Sequence, residues 1–226
     1  MFFDPLYLLM VMPAFLLGLW AQMRIQSAYA QAQRLAAPLS GAAAARHVLD
    51  SAGLQNVAIE QIPGRLSDHY DPRDKVLRLS SDVYLSRSLA AVGIAAHEAG
   101  HALQDAFGYA PLAIRNAVVP VAGIGSNAGI WMVVLGAILR IQPLLLAGIV
   151  LFSAVVFFQV VNLPVEFNAS SRAKAQLVSL GIINQEELFY VGKVLNAAAL
   201  TYVAATLQAI MTLLYLVLRF GGGRRS

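Results

Sequence analysis

Four long stretches without a charged residue limit what this chain can fold into. They cover residues 5–23, 116–139, 141–165 and 194–218, and each contains 19 to 25 residues. About 20 apolar residues of α-helix cross a bilayer core of ~30 Å, because each residue adds ~1.5 Å. We therefore predict four transmembrane helices over these ranges and a lipid bilayer as the chain's environment.

The composition excludes several other classes of protein. Hydrophobic residues make up 58% of the 226 positions and charged residues 12%, against roughly 25% charged residues in an average soluble domain. This excludes disordered and fibrous proteins and argues against an ordinary soluble enzyme. The chain has no cysteine, which excludes disulfides and thiolate chemistry, and its net charge of +4 is too dispersed to indicate nucleic-acid binding.

The first apolar run resembles a secretory signal, because Ala28-Tyr29-Ala30 has the small-residue pattern that precedes a cleavage site. However, the run is preceded by Asp4 rather than by Lys or Arg, and it is longer than a typical signal core of ~7–15 residues. We expect an uncleaved anchor helix.

Residues 24–115 form the one long polar stretch, which contains 17 of the 28 charged residues and all four histidines. We predict here an extramembrane unit with a helix over 40–52, ended by Gly53, and a second helix over 88–107. Short β-prone runs at 57–62 and 75–80 predict two antiparallel strands, joined by a loop over 63–72 that is rich in turn formers. The fold class that we expect is a mainly α membrane protein with a small α+β unit.

Only Arg140-Ile141-Gln142-Pro143 separates the second and third apolar runs, which predicts a tight helical hairpin. A hairpin returns the chain to the side that it left, so we expect residues 166–193 to face the same side as residues 24–115. The fourth run then carries the tail, residues 219–226, to the other side.

The strongest chemical signal is His97-Glu98-Ala99-Gly100-His101. Residues i and i+4 share one face of a helix, so the two imidazoles can bind one zinc ion. Glu98 can then take a proton from zinc-bound water and deliver it to the leaving amine. Two solvated histidines are the alternative, but the apolar flanks would make unpartnered histidines costly.

A catalytic zinc site usually has three protein ligands and one open position. Glu166 is the best candidate for the third ligand, because it ends the third apolar run and the hairpin places it on the side of His97 and His101. We expect one zinc ion per chain, held by these three residues.

The motif around residues 97–101, the segment 163–170 (Leu-Pro-Val-Glu-Phe-Asn-Ala-Ser) and the segment 67–72 (Ser-Asp-His-Tyr-Asp-Pro) together resemble the YugP-like neutral zinc metallopeptidases of bacterial membranes. The resemblance covers essentially the whole chain and extends more distantly to the gluzincin membrane proteases. It implies a zincin-like unit, His97, His101 and Glu166 as ligands, Glu98 as catalytic base, and a location in the bacterial inner membrane. Related membrane proteases place an Asp four residues after the ligand Glu, where this chain has Ser170.

Three further residues have open interpretations. His69 could donate a hydrogen bond to a tetrahedral intermediate, or be a turn histidine held by Asp68, which we favour. Asp105, one turn after His101, could orient an imidazole or be a solvated helix residue. We expect His47 to be a surface or packing residue.

We therefore expect zinc-dependent hydrolysis of peptides or membrane proteins, with residues 57–62 or 75–80 offering an edge for an extended peptide. The same strands could instead only cover the helix. The rival hypothesis is a membrane scaffold or chaperone partner with structural zinc, which would need a fourth protein ligand. A transporter would place ionisable residues within the apolar runs, and these contain none.

Lys and Arg residues near the apolar runs predict the orientation of the protein in the membrane. Six lie on the predicted side of the zinc site and four on the other side. The first set is Arg24, Arg34, Arg115, Arg172, Lys174 and Lys193, and the second is Arg140, Arg219, Arg224 and Arg225. The positive-inside rule therefore favours a cytoplasmic zinc site by a narrow margin.

Overall fold

The computed structural model of the protein describes residues 4–65 and 67–221. The predicted tail lies partly outside this range, since residues 222–226 are not described, and neither is Leu66 in the predicted loop. The chain is mainly α-helical, as predicted, and four of its helices are long and apolar enough to cross a membrane. The elements are, in order, α1 Pro5–Gln33, α2 Gly41–Ser51, β1 Ala58–Ile62, β2 His69–Asp71, β3 Val76–Ser80, α3 Ser81–Tyr84, α4 Leu89–Ala106, α5 Ala110–Ile124, a π-helical segment Gly125–Gly129, α6 Ile130–Ile138, α7 Gln142–Ser179 and α8 Gln185–Phe220.

The chain divides into two compact units. The first, which we call the helical unit, comprises residues 4–20, 113–163 and 200–221. The second, which we call the mixed unit, comprises residues 21–112 and 164–199 and contains the sheet. Four helices, α1, α5, α7 and α8, contribute residues to both units.

The helical unit contains a tight hairpin at the predicted position. α6 ends at Ile138 and α7 begins at Gln142, and Arg140 between them adopts a left-handed conformation with φ 57°. Glycines line the contact between the two arms, since a Cβ at Gly136 would lie 2.6 Å from the backbone N of Leu145. Small residues of this kind let transmembrane helices approach closely.

The sheet of the mixed unit corrects the predicted strand pairing. β1 and β3 pair in parallel, with Ala58 opposite Val76, and not antiparallel. The reason is a third strand within the predicted loop: β2 pairs antiparallel with β3, which gives the order β1-β3-β2. Because β3 is central, residues 75–80 offer no free edge.

Arg78 on the central strand helps to hold this arrangement. Its guanidinium contacts Asp71 on β2 at 2.8 Å and Glu60 on β1 at 3.3 Å. Asp74, in the turn between β2 and β3, is 2.6 Å away. One cation thus links both outer strands to the middle one, and opposite charges on neighbouring strands favour this register.

α4 is the central helix of the mixed unit and matches the predicted range to within one residue at each end. Ser88 caps its N-terminus by accepting a hydrogen bond from the N–H of Ala91. Gly108 follows its C-terminus with φ 63°, which glycine adopts readily. Most of the helix is buried, because alanine and glycine let neighbouring elements approach on several sides.

Candidate metal centre

Two helices that are far apart in the sequence supply the candidate ligands. α4 contributes His97 and His101, whose rings lie edge to face with centroids 4.8 Å apart. α7 contributes Glu166, which is only 4% exposed. Gly100 permits this meeting, because a Cβ there would lie 2.7 Å from the carbonyl oxygen of Ala169 on α7.

The three side chains converge on a single point. Oε2 of Glu166 lies 3.2 Å from Nε2 of His97 and 3.8 Å from Nε2 of His101. Ligand atoms at ~2.1 Å from one tetrahedral zinc ion are about 3.4 Å apart, so these separations fit a zinc site. The donor atoms of the three residues all lie within 4.8 Å of one another. Among residues 4–65 and 67–221, no other group of three His, Cys, Asp or Glu residues is arranged in this way.

Each imidazole has a polar partner at its other nitrogen. Nδ1 of His97 lies 3.1 Å from Oγ of Ser170, and Nδ1 of His101 lies 3.0 Å from Oε1 of Gln104. Such contacts orient a histidine so that Nε2 faces a metal ion. Ser170 therefore contacts His97 from the position where related proteases place an Asp.

Glu98 lies beside the three potential ligands and in contact with β2. The backbone N–H of Tyr70 is close enough to its carboxylate to favour the charged form. Burial raises the pKa of Glu98 to about 7, and the nearby charges of Glu166 and Asp68 add to the rise, while His97 and the Tyr70 N–H oppose it. A carboxyl group with such a pKa can both accept and return a proton near neutral pH.

Asp105 contacts β2 rather than an imidazole. Its Oδ2 accepts hydrogen bonds from the Tyr70 hydroxyl at 2.7 Å and from Nζ of Lys75 at 2.5 Å. The Tyr70 hydroxyl thus attaches β2 to α4 at Asp105, and the Tyr70 N–H lies near Glu98 on the same helix. The residue of this helix turn that contacts the His101 imidazole is Gln104, and not Asp105.

His69 begins β2 and is exposed, outside the group of three potential ligands. Its Nδ1 contacts the carbonyl oxygen of Ser67 at 2.7 Å, not Asp68. Asp68 instead accepts hydrogen bonds from the backbone N and Oγ of Ser80, at 2.7 and 3.0 Å. His47 is exposed on α2, as expected of a surface residue.

Sequence patterns did not predict Gln104, Ser170 or Tyr70 as site residues. A signal for Gln104 was present, because residues i and i+3 share a helix face and Gln104 is a polar residue three positions after His101. Ser170 has the same kind of relation to Glu166, four positions earlier. The contact of Tyr70 depends on strand pairing and has no such local signal.

Comparison with known proteins agrees with this geometry. Residues 7–221 match a family profile described as "Putative neutral zinc metallopeptidase". The chain is 44% identical over 221 residues to a Bacillus subtilis (strain 168) protein described as "Putative membrane protease YugP", a match that covers 97% of this chain and 98% of that protein. No solved structure matches. With its four candidate membrane spans and its His-His-Glu cluster, the chain belongs to the neutral zinc metallopeptidase family, whose cofactor is zinc.

Proposed function

We propose that this protein is a membrane-embedded zinc endopeptidase that hydrolyses peptide bonds of membrane or membrane-proximal proteins. His97, His101 and Glu166 hold the zinc ion, and Glu98 is the catalytic base. The observation that carries this proposal is the convergence of three donors from α4 and α7, with the Glu98 carboxyl group on the residue next to His97. The apolar helices keep the site near the bilayer, which favours substrates presented there.

Zinc bound by these residues would supply a Lewis acid that activates water and polarises the scissile carbonyl. Glu98 accepts the proton of the attacking water and then donates it to the departing amine nitrogen. The Tyr70 N–H favours the charged form of the Glu98 carboxylate, which is the form that accepts the proton. The buried Glu166 carboxylate offsets the positive charge of the ion.

The β2 edge is the proposed binding surface for an extended peptide. β2 is an outer strand of the sheet, and α4 contacts it. An added strand would pair with β2 through backbone hydrogen bonds, which select an extended chain rather than particular side chains. This placement replaces the predicted edge at residues 75–80, and it favours β2 over the other outer strand, β1.

The number of ligands favours a catalytic site over a structural one. A structural zinc site is closed by four protein ligands, whereas a catalytic site has three and an open position. The cluster within the described part of the chain has three members. The scaffold hypothesis therefore lacks the fourth ligand that it requires.

Glu98→Gln tests the proposed activity. The amide cannot accept a proton from water, so cleavage of casein or of a co-expressed membrane protein should fall by at least ~10²–10⁴-fold. Zinc content should stay at one ion per chain, because Glu98 is not a ligand. Glu186→Gln, the same change at an exposed position on α8, is the matched control and should cleave normally.

The opposite result would favour the scaffold hypothesis. If Glu98→Gln supports every cellular phenotype of the wild-type protein, peptide hydrolysis is not its function. If the variant is inactive, its retained substrates can be captured and compared with those of the wild type to identify what the enzyme cuts.

The cytoplasmic orientation of the site is a separate proposal, supported by the six-to-four distribution of Lys and Arg. Because the chain has no cysteine, single cysteines at positions 60 and 223 can be labelled individually. An impermeant thiol reagent applied from the periplasmic side should label position 223 and not position 60. Labelling of position 60 alone would reverse the orientation.

A further inference from the structure

The side chain of Gln104 is completely buried between α4 and α7, one turn after His101. We propose that Gln104 is a positioning residue of the metal centre, which acts with Asn168 and Arg172 to fix the proton of His101 on Nδ1 and leave Nε2 for the metal. This inference rests on the proposed role of His101 as a zinc ligand.

The direction of the hydrogen bonds follows from Arg172, which can only donate. Its Nε contacts Oδ1 of Asn168 at 2.8 Å, so the atom of Asn168 that faces Arg172 must be the carbonyl oxygen. The same oxygen lies 3.0 Å from the side-chain amide of Gln104. The group that Gln104 presents to it must therefore be the NH₂ group.

A second contact fixes Gln104 in the same orientation. Its Nε2 also lies 2.8 Å from the carbonyl oxygen of Val165, which can only accept. With both protons of the NH₂ group used, Oε1 faces Nδ1 of His101 at 3.0 Å. An amide oxygen cannot donate, so Nδ1 must carry the proton and Nε2 must hold the lone pair.

The two histidines are therefore controlled differently. The partner of His97 is the hydroxyl of Ser170, which can rotate and either donate or accept. The partner of His101 belongs to a chain of contacts that begins at a permanent cation and allows one tautomer. Hydrogen bonds in such a chain polarise one another, which increases the basicity of the ligand nitrogen.

Gln104 also connects the two ligand-bearing helices. Val165, whose carbonyl it contacts, directly precedes Glu166 on α7. One buried side chain thus sets the tautomer of one ligand and holds the backbone next to another. Loss of this amide should weaken zinc binding through both effects.

The test measures zinc affinity of the full-length protein in detergent by competition with a chelator. Gln104→Leu retains the side-chain size but removes every polar contact, and we expect a zinc dissociation constant ~10–100-fold higher. Leu103→Ala is the control, because Leu103 is the neighbouring buried residue on α4 and contacts no ligand through a hydrogen bond. It should lower the thermal midpoint and leave the zinc dissociation constant near the wild-type value.

A second pair of variants tests the chain of contacts one step further from the metal. Asn168→Leu breaks it and should weaken zinc binding, whereas Asn168→Asp keeps an acceptor for both Gln104 and Arg172 and should restore most of the loss. The visible absorption spectrum of the cobalt-substituted protein should change in Gln104→Leu and Asn168→Leu but not in Leu103→Ala. A purely structural role would not produce this pattern.

Wild-type zinc affinity in a folded Gln104→Leu protein would overturn the proposal. If that variant does not fold, equal zinc affinities of Asn168→Leu and Asn168→Asp would overturn it instead. Two other variants separate this failure from failure of the proposed function. Full zinc retention in His101→Ala would refute the ligand assignment, and normal proteolysis in Glu98→Gln would refute the peptidase mechanism.

Discussion

The helical unit and the mixed unit use the same packing device for different purposes. In the helical unit, a Cβ at Gly125 would lie 2.5 Å from the carbonyl oxygen of Leu151, so two helices approach at backbone distance. In the mixed unit, a Cβ at Gly100 would lie 2.7 Å from the carbonyl oxygen of Ala169. The first contact joins two apolar helices, whereas the second brings a pair of histidines to a glutamate 65 positions later in the sequence.

The effect of a substitution on stability and its effect on metal binding are therefore separate quantities. A methyl group at either glycine collides with a backbone that cannot easily move. Only in the mixed unit does the resulting displacement change the distances between potential zinc ligands. Variants in the two units should therefore separate stability from metal binding.

The largest effect on zinc binding is expected from a variant that removes a proposed ligand without disturbing the packing of the helices. Glu166→Ala removes a proposed ligand while leaving the close approach of Gly100 and Ala169 intact, so zinc binding should weaken strongly. His97→Ala and His101→Ala should abolish it. Metal analysis of the purified proteins measures the outcome, and full zinc retention in Glu166→Ala would show that the third ligand is misassigned.

The next largest effect is expected from Gly100→Ala. The added methyl group would push α7 away from α4 and displace Glu166 from the two imidazoles. A misplacement of ~1 Å at catalytic groups can reduce the rate ~10²-fold, and we expect a loss of that order in casein cleavage together with weaker zinc binding. Unchanged activity would mean that the helices can separate without moving the ligands.

A smaller effect is expected from Ser170→Ala, which sharpens the comparison within the mixed unit itself. One net hydrogen bond contributes ~1 kcal/mol, so zinc affinity should fall about fivefold. The loss should be smaller than that of Gln104→Leu, because Ser170 does not dictate the tautomer of His97. Chelator competition on both variants compares them directly, and a larger loss in Ser170→Ala would contradict the order.

The smallest effect on zinc is expected from Gly136→Ala in the helical unit. Its Cβ would lie 2.6 Å from the backbone of Leu145, and overpacking of this kind costs ~1–3 kcal/mol of stability. The thermal midpoint should fall while each folded chain still binds one zinc ion. Loss of zinc in a folded Gly136→Ala protein would contradict the expectation that packing changes in the helical unit leave zinc binding in the mixed unit unchanged.

Local sequence patterns predicted much of the fold and part of the candidate site. The positions of the four candidate membrane helices follow from long runs without a charged residue. The range of α4 follows from its lack of proline and from Gly108 and Pro111 after its C-terminus. The His pair follows from helical spacing alone. These features need no knowledge of the rest of the chain.

Features that depend on distant contacts were predicted less well. The parallel pairing of β1 with β3 was missed because β2, with only three residues, is too short to show alternation and is stabilised by pairing with β3. The orientation of the Gln104 amide towards His101 was missed because it depends on Val165 and Asn168 on another helix, although the i, i+3 spacing of the two residues was visible in the sequence. The π-helical segment at Gly125–Gly129 has no sequence signal that we used.

The contact at Gly100 also affects which residues of the motif at 97–101 can indicate activity in related proteins. A side chain at position 100 would collide with the carbonyl oxygen of Ala169, and Ala99 is fully buried. Selection for folding would therefore retain both residues even in a descendant that had lost its catalytic activity. The residue that reports on activity is therefore Glu98. Comparing the residue at this position among related chains would distinguish active enzymes from inactive descendants with the same fold.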